Sequence, residues 1–235
     1  MNVLDLFSGI GGFSLGLERA GMRTVAFCEI EPFQRAVLKK HWPEVPCYDD
    51  VSALTSNCLR ADGISVDVIC GGFPCQDISY AGDRAGLEGE RSGLWKEYAR
   101  LIGELRPRYV VVENVTALLN RGLDVVLGDL AALGYDAEWH CIPASALGAP
   151  QSRDRTWIIA YPTGKHVEQV LGPRARQGEF RGSAWDAWPS RLDQSFVCRE
   201  ANGLPGDVDR ISALGNAVVP QIPEIIGRAI MKATA

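Results

Sequence analysis

Cys70-Gly71-Gly72-Phe73-Pro74-Cys75-Gln76-Asp77-Ile78-Ser79 is the stretch from which the rest of the chain is read. The residues leading into it, Val66-Asp67-Val68-Ile69-Cys70, form a short apolar run rich in β-branched side chains, which predicts a buried strand that stops at the glycines. Cys75 is thereby expected just beyond a strand's carboxyl end, the edge at which open α/β sheets bind their ligands. Pro74 fixes its own φ and biases Phe73 towards an extended backbone, while Gly71 and Gly72 admit close approach of another molecule. A lone cysteine is most often a small buried hydrophobe. The glycines and the proline around this one predict instead a stiff loop that presents a thiol.

Length and composition set the frame. A chain of 235 residues buries a full core and suits one α/β domain with a modest insertion. Its seven cysteines are odd in number and include no C-x-x-C pair, and Cys28, Cys70 and Cys141 lie in apolar runs, so neither a disulfide framework nor a zinc site is expected. A reducing cytoplasm is the natural setting, with no metal. The amino terminus lacks a charged segment followed by a long apolar one, and no window reaches the roughly 18 apolar residues of a membrane span, so no membrane association is expected. A net charge of −5 points away from nucleic acid globally, although a DNA-binding face can be local.

Upstream, Val3-Leu4-Asp5-Leu6-Phe7 predicts a first strand and Ser8-Gly9-Ile10-Gly11-Gly12 a glycine loop opening onto a helix through Phe13, Leu15, Leu17 and Ala20, capped by Gly21. A second strand, Thr24 to Cys28, ends at Glu29, about 20 residues beyond the first loop glycine. This is the spacing at which a strand-end carboxylate accepts ribose hydroxyls. The loop has no Gly-Lys-Ser/Thr ending and no lysine nearby, which argues against a triphosphate and for an adenosyl cofactor without phosphates.

Downstream, Gly82, Gly86, Gly89 and Gly93 stud a segment carrying Arg84 and Arg91, a composition suited to a mobile lid or a plain surface loop. Leu94, Tyr98, Leu101, Ile102 and Leu105 share one face of a predicted helix that Pro107 ends. Tyr109 to Val112 predicts a buried strand, with Glu113-Asn114-Val115 at its carboxyl end. If this strand runs parallel to the one before Cys75, their ends project carboxylate and thiol into one cleft. A helix from about Ala117 to Leu133 and strands around Ala137 to Ile142 and Thr156 to Tyr161 follow. Period-two alternation in Gln151-Ser152-Arg153-Asp154-Arg155 puts the two arginines on one side. From Pro162 to about Gly206 the periodicity breaks and glycine, proline and arginine dominate, which predicts a small irregular subdomain over residues 162–210. Leu214-Gly215-Asn216-Ala217-Val218-Val219-Pro220 then opens a C-terminal helix. Residues 1–161 and 211–235 are thus expected to form one domain, an α/β, Rossmann-like, mostly parallel doubly wound sheet.

Gly-Gly-x-Pro-Cys-Gln resembles the nucleophile motif of the DNA cytosine-5 methyltransferase family, and Asp5 to Phe13 resembles its first motif, with Ser8 where the family usually has Ala. Glu113-Asn114-Val115, Gln-x-Arg-x-Arg at 151–155 and Gly-Asn-x-Val-x-Pro at 215–220 match further family motifs in order. The resemblance implies S-adenosyl-L-methionine as cofactor: Phe7, Gly9, Gly11 and Gly12 frame it, Glu29 holds the ribose, Ile30 packs on the adenine, Asp50 and Val51 read its edge, and Pro74, Leu94 and Asn216 complete the pocket. It implies double-stranded DNA as partner and Cys75, Glu113, Arg153 and Arg155 as catalytic residues; a monomer is expected. Gln76, Ser79, Arg84 and Arg91 are then at the DNA, with Arg174, Arg176, Arg181 and Arg191 as its readers in a recognition segment much shorter than the family's usual one. That shortness implies a short or relaxed target site.

In the mechanism implied by the resemblance, the Cys75 thiolate adds to cytosine C6, Glu113 protonates N3, and C5 takes the methyl group after the base is flipped out of the duplex. Two other readings stay open, an RNA (tRNA) cytosine-5 methyltransferase and a catalytically silent DNA-binding relative. The Cys-Phe-Thr signature of the first is absent, and the intact Cys75, Glu113, Arg153 and Arg155 argue against the second.

Overall fold

The structure, a computed structural model, describes residues 1–74, 93–149, 152–164 and 213–234. Among them a single sheet dominates. Its strands are β1 (Asn2–Leu6), β2 (Arg23–Cys28), β3 (Cys47–Tyr48), β4 (Val68–Gly71), β5 (Tyr109–Val115), β6 (Tyr135–Pro143) and β7 (Asp154–Pro162), in the spatial order β3-β2-β1-β4-β5-β7-β6. The first five are mutually parallel, and β7 runs antiparallel between β5 and β6. The architecture is Rossmann-like. Strand order reverses between β1 and β4, so the loops leaving these two neighbours open the crevice in which such sheets bind ligands.

Side-chain alternation along the strands separates two covering layers. Leu4, Leu6, Ile69, Val110 and Val112 face α4 (Gly93–Leu105), α3 (Ser56–Ala61) and α5 (Leu123–Ala132), while Val3, Val68, Val111 and Ile159 face α1 (Gly12–Arg19) and α6 (Gln221–Thr234). On α4 the fully buried Tyr98, Leu101 and Ile102 each stabilise this layer by about 1.5–3 kcal/mol. The remaining helix, α2 (Pro32–His41), lies beyond β2 and ends in Trp42, whose ring packs edge-on against Phe27.

Several boundaries differ from the sequence reading, for identifiable reasons. Gly71 ends β4 inside the sheet, because a Cβ there would meet the Leu6 carbonyl oxygen at 2.2 Å and only glycine lets β1 and β4 pair so closely. Glu113, Asn114 and Val115 belong to β5, held in extended form by pairing with Trp157, Thr156 and Arg155. The helix expected over 117–133 is split into a 3-10 segment, Thr116–Asn120, and α5, because Gly122 takes φ 157° and breaks the run. After a turn of helix over 213–216, α6 lies against α1 so closely that a Cβ on Gly16 would stand 2.2 Å from the Pro220 carbonyl oxygen, and one on Gly227 would stand 2.7 Å from Ala20. No helix among the described residues is long and apolar enough to cross a membrane. Beyond Gly164, the expected recognition subdomain lies outside the described residues.

Candidate active site

The two loops at the switch point share one aromatic base. Phe7 stacks on Tyr98 at 6.3 Å between ring centres, Tyr98 on Trp95 at 5.6 Å, and Trp95 packs against Phe73 at 5.4 Å. Each link is a favourable offset or tilted arrangement, and the row couples the backbone at Phe7 to that just before Pro74. Phe7 holds φ 52°, a left-handed conformation that costs a non-glycine residue on the order of 1–3 kcal/mol. The stacking over-determines it and turns the chain sharply out of β1.

Beyond Phe7 the loop is fastened from both sides. Ser8 Oγ donates to the Asp5 carbonyl at 2.6 Å, and the Glu29 carboxylate accepts from the Gly9 amide at 2.7 Å and from the Glu31 amide at 2.9 Å. The three loop glycines do different work. A Cβ on Gly11 would strike the Trp42 ring at 2.6 Å, and one on Gly12 would strike the Val218 carbonyl oxygen at 2.4 Å, whereas Gly9 faces open space. Only Gly9 therefore leaves room for a ligand. Ile30, next to Glu29, is an apolar side chain left 68% exposed. Asp50 Oδ1 caps the Ser52 amide at 2.8 Å, and Val51 behind it is buried. Leu94 packs against the core at the start of α4 and Asn216 is exposed, in the segment that reaches Gly12 through Val218.

Beneath the loop, Asp5 is wholly buried and accepts from the Ser14 hydroxyl at 2.7 Å and from the Ser14 amide at 3.3 Å. Burial pushes its carboxyl up to about 7, against the Ser14 hydrogen bonds that favour the ionised form. This residue ties β1 to the first turn of α1, a role the sequence did not reveal because its partner is known only once the helix is placed.

On the other side of the crevice stands Glu113, its side chain 12% exposed, with Oε1 paired to Arg155 Nε at 2.9 Å. Arg155 lies opposite Val115, two positions from the residue facing Glu113, so the pair is a diagonal contact on one face of β5 and β7. Desolvation raises the Glu113 pKa above its ordinary value, offset in part by the Arg155 and Arg153 charges and the Arg155 hydrogen bond. Gly72 gives this carboxylate its place: a Cβ there would stand 2.6 Å from Oε2. Asn114 turns the other way, donating to the Phe73 carbonyl at 3.2 Å and accepting from the Val115 amide at 2.8 Å. The Glu113-Asn114 pair thus aims an acid into the crevice and pins the chain one residue before Pro74.

Arg153 and Arg155, expected to act together, diverge. Arg153 sits before β7 at φ 37° and donates from both terminal nitrogens, at 2.6 Å each, to the carbonyls of Gly215 and Ala217. Pro74 is exposed at the end of its loop. Cys75, Gln76, Ser79, Arg84, Arg91, Arg174, Arg176, Arg181 and Arg191 lie outside the described residues. Among the described residues no acidic, histidine or cysteine cluster is arranged to hold a metal ion.

Gly9 with open space before it, the Glu29 carboxylate bonded to its amide and the exposed Ile30 thus stand together at the end of β1 and β2, and known proteins share this chain's sequence. The type II methyltransferase M2.BsuMI of Bacillus subtilis is 39% identical over 168 residues, 68% of this chain and 42% of that protein. M.Eco47II of Escherichia coli, another type II methyltransferase, is 40% identical over 164 residues, 67% of this chain and 39% of its own. The chain thus spans about two fifths of the length of these curated relatives. A crystal structure described as a DNA modification methyltransferase encoded within an Escherichia coli prophage matches at a TM-score of 0.62 and 29% identity, over 72% of this chain and 48% of that one. The profile of the family described as C-5 cytosine-specific DNA methylase matches residues 1–183, so the chain belongs to that family.

Proposed function

We propose that the chain transfers a methyl group from S-adenosyl-L-methionine to C5 of cytosine in double-stranded DNA, working as a monomer through a covalent adduct at Cys75. The observation that carries this reading is the Glu113–Arg155 pair at 2.9 Å, set against Gly72 in the crevice where the Cys75 loop begins. A buried acid with a raised pKa suits a group that must share or donate a proton.

The described residues fit the cofactor. Glu29 presents a carboxylate beside the open space at Gly9, Ile30 offers an exposed apolar face for a purine, and no lysine stands in the loop to meet a phosphate. When bound, S-adenosylmethionine supplies an electrophilic methyl group on a sulfonium. The protein's part is to make cytosine C5 nucleophilic. Cys75 thiolate would form a bond to C6 while Glu113 delivers a proton to N3, which places an electron pair at C5; a methyl group taken up there would leave its bonding electrons on the cofactor's sulfur, which departs as a neutral thioether. Glu113 would then take back the N3 proton and a water would accept the C5 proton, so that the C5–H electrons form the C5–C6 double bond and the C6–S electrons leave with the Cys75 thiolate. Arg155 orients Glu113 by holding Oε1, which leaves Oε2 for the base. The target is buried in a duplex, so it must be flipped at a cost of a few kcal/mol.

Residues 1–161 and 211–235 form the catalytic domain in this reading, and 162–210 the recognition subdomain. A reader of that size matches a single DNA-binding module, which buries on the order of 600–1,000 Å² and reads few base pairs. Arg174, Arg176, Arg181 and Arg191 are its candidate base and phosphate contacts, and the expected target is short or relaxed.

Duplex DNA carrying 5-fluorocytosine tests the covalent step, because fluorine does not leave as the proton does. With S-adenosylmethionine present the protein should form a denaturation-resistant adduct, absent in Cys75→Ser. An undiminished adduct in that variant would remove Cys75 as nucleophile.

A further inference from the structure

Three segments that the cofactor reading draws on, 29–30, 51–54 and 215–217, are each fastened by one arginine that bridges two main-chain carbonyls. Arg35 on α2 donates from Nη1 to the Glu29 carbonyl at 3.1 Å and, more closely, to that of Ile30. Arg100 on α4 donates from Nη2 to the carbonyls of Val51, at 3.0 Å, and Leu54, at 2.9 Å. Arg153 bridges the carbonyls of Gly215 and Ala217 across Asn216.

We infer that Arg35, Arg100 and Arg153 are positioning residues for cofactor binding, each fixing the backbone that carries one set of cofactor contacts. The inference rests on the cofactor reading given above. A planar guanidinium suits the task because its N–H groups point along fixed directions and span two acceptors, whereas an ammonium is a single compact donor site. Arg100 is itself pre-aimed: Glu97 holds its Nε at 2.7 Å and Glu104 its Nη1 at 2.6 Å, leaving Nη2 directed at the 51–54 turn. Glu104 Oε2 adds a bond from the Ser56 amide at 2.8 Å, so α4 grips this turn with two side chains. Arg153 reaches its carbonyls from a left-handed φ of 37°, and a strained backbone at this point is the kind that persists where function over-determines it. It also stands two residues from Arg155, the partner of Glu113, so it links the cofactor side of the crevice to the base side.

Calorimetric titration of the full chain with S-adenosylmethionine, on Arg→Met and Arg→Lys variants at each position, tests the inference. Loss of two charge-assisted bonds that pre-order a binding segment should weaken binding about tenfold for each Met variant, with Lys between Met and wild type. KM for S-adenosylmethionine should rise by a larger factor than kcat falls for Arg35 and Arg100. A merely structural role would lower the melting temperature of the ligand-free protein while leaving the affinity of the folded protein unchanged. Affinities within threefold of wild type at all three positions would overturn the inference alone. Wild-type protein that binds no S-adenosylmethionine would overturn the cofactor reading and the inference with it. Arg35 lies half-buried on α2, so its variants keep the test informative if an Arg153 variant fails to fold.

Discussion

Replacing Gly72 with alanine places a methyl group 2.6 Å from Oε2 of Glu113 and 3.4 Å from its carbonyl oxygen. The second contact is ordinary, so the strain falls on the carboxylate, which must retreat by roughly 0.8 Å to reach the same 3.4 Å separation. It does not retreat freely, because Oε1 is paired with Arg155 at 2.9 Å. A misplacement approaching 1 Å in a reacting group costs up to about 100-fold in rate, so kcat for cytosine methylation should fall by about two orders of magnitude. Stability should hardly change. The end of a side chain moves and no backbone does, and a cost below about 1 kcal/mol shifts the melting temperature of a domain this size by only about 2–4 °C. Gly71→Ala is the control, since its methyl meets the Leu6 carbonyl at 2.2 Å and forces two paired strands apart, so it should unfold the protein at markedly lower temperature. Single-turnover transfer of labelled methyl groups to duplex DNA, beside melting curves for both variants, reads the two effects separately. Turnover of Gly72→Ala within about threefold of wild type would refute the placement of Glu113.

Glu113→Gln should slow methyl transfer at least about 100-fold while cofactor affinity measured by titration stays within twofold, because the amide keeps the shape and loses the proton. Asp5→Asn should become more stable relative to wild type as pH rises from 4 to 8. The folded carboxyl, raised from 3.8 to about 7, binds its proton more tightly than the unfolded one, so its contribution is full below 3.8 and is lost as pH rises through about 7. Melting temperatures of both proteins across that range would show it, and a constant difference would remove the buried acid from the account.

The parallel half of the sheet was legible because its strands are short apolar runs punctuated by glycine, and the loops after β1 and β4 carry their chemistry in consecutive residues. The crossing pattern was less so. Whether β7 runs parallel or antiparallel depends on what β5 leaves unpaired at its edge, which no local pattern records. Arg153 shows the limit most clearly: alternation placed it beside Arg155, yet its φ of 37° breaks the alternation and its partners lie more than sixty residues on. Glu97, Arg100 and Glu104 advertise a helical ion network by spacing, but the carbonyls that the network serves belong to another loop. Gly72 and Asn114 stand in the sequence as members of motifs, while their separate tasks, making room for a carboxylate and pinning the Phe73 carbonyl, depend on neighbours more than forty residues away.

The most direct test of the central claim is bisulfite sequencing of plasmid DNA incubated with the purified protein and S-adenosylmethionine. The account predicts 5-methylcytosine at one cytosine of a short motif of about two to four base pairs, absent from DNA treated with Cys75→Ser. Unmethylated DNA despite bound cofactor would contradict the proposed activity, and strict methylation of a motif of six or more base pairs would contradict the small reader.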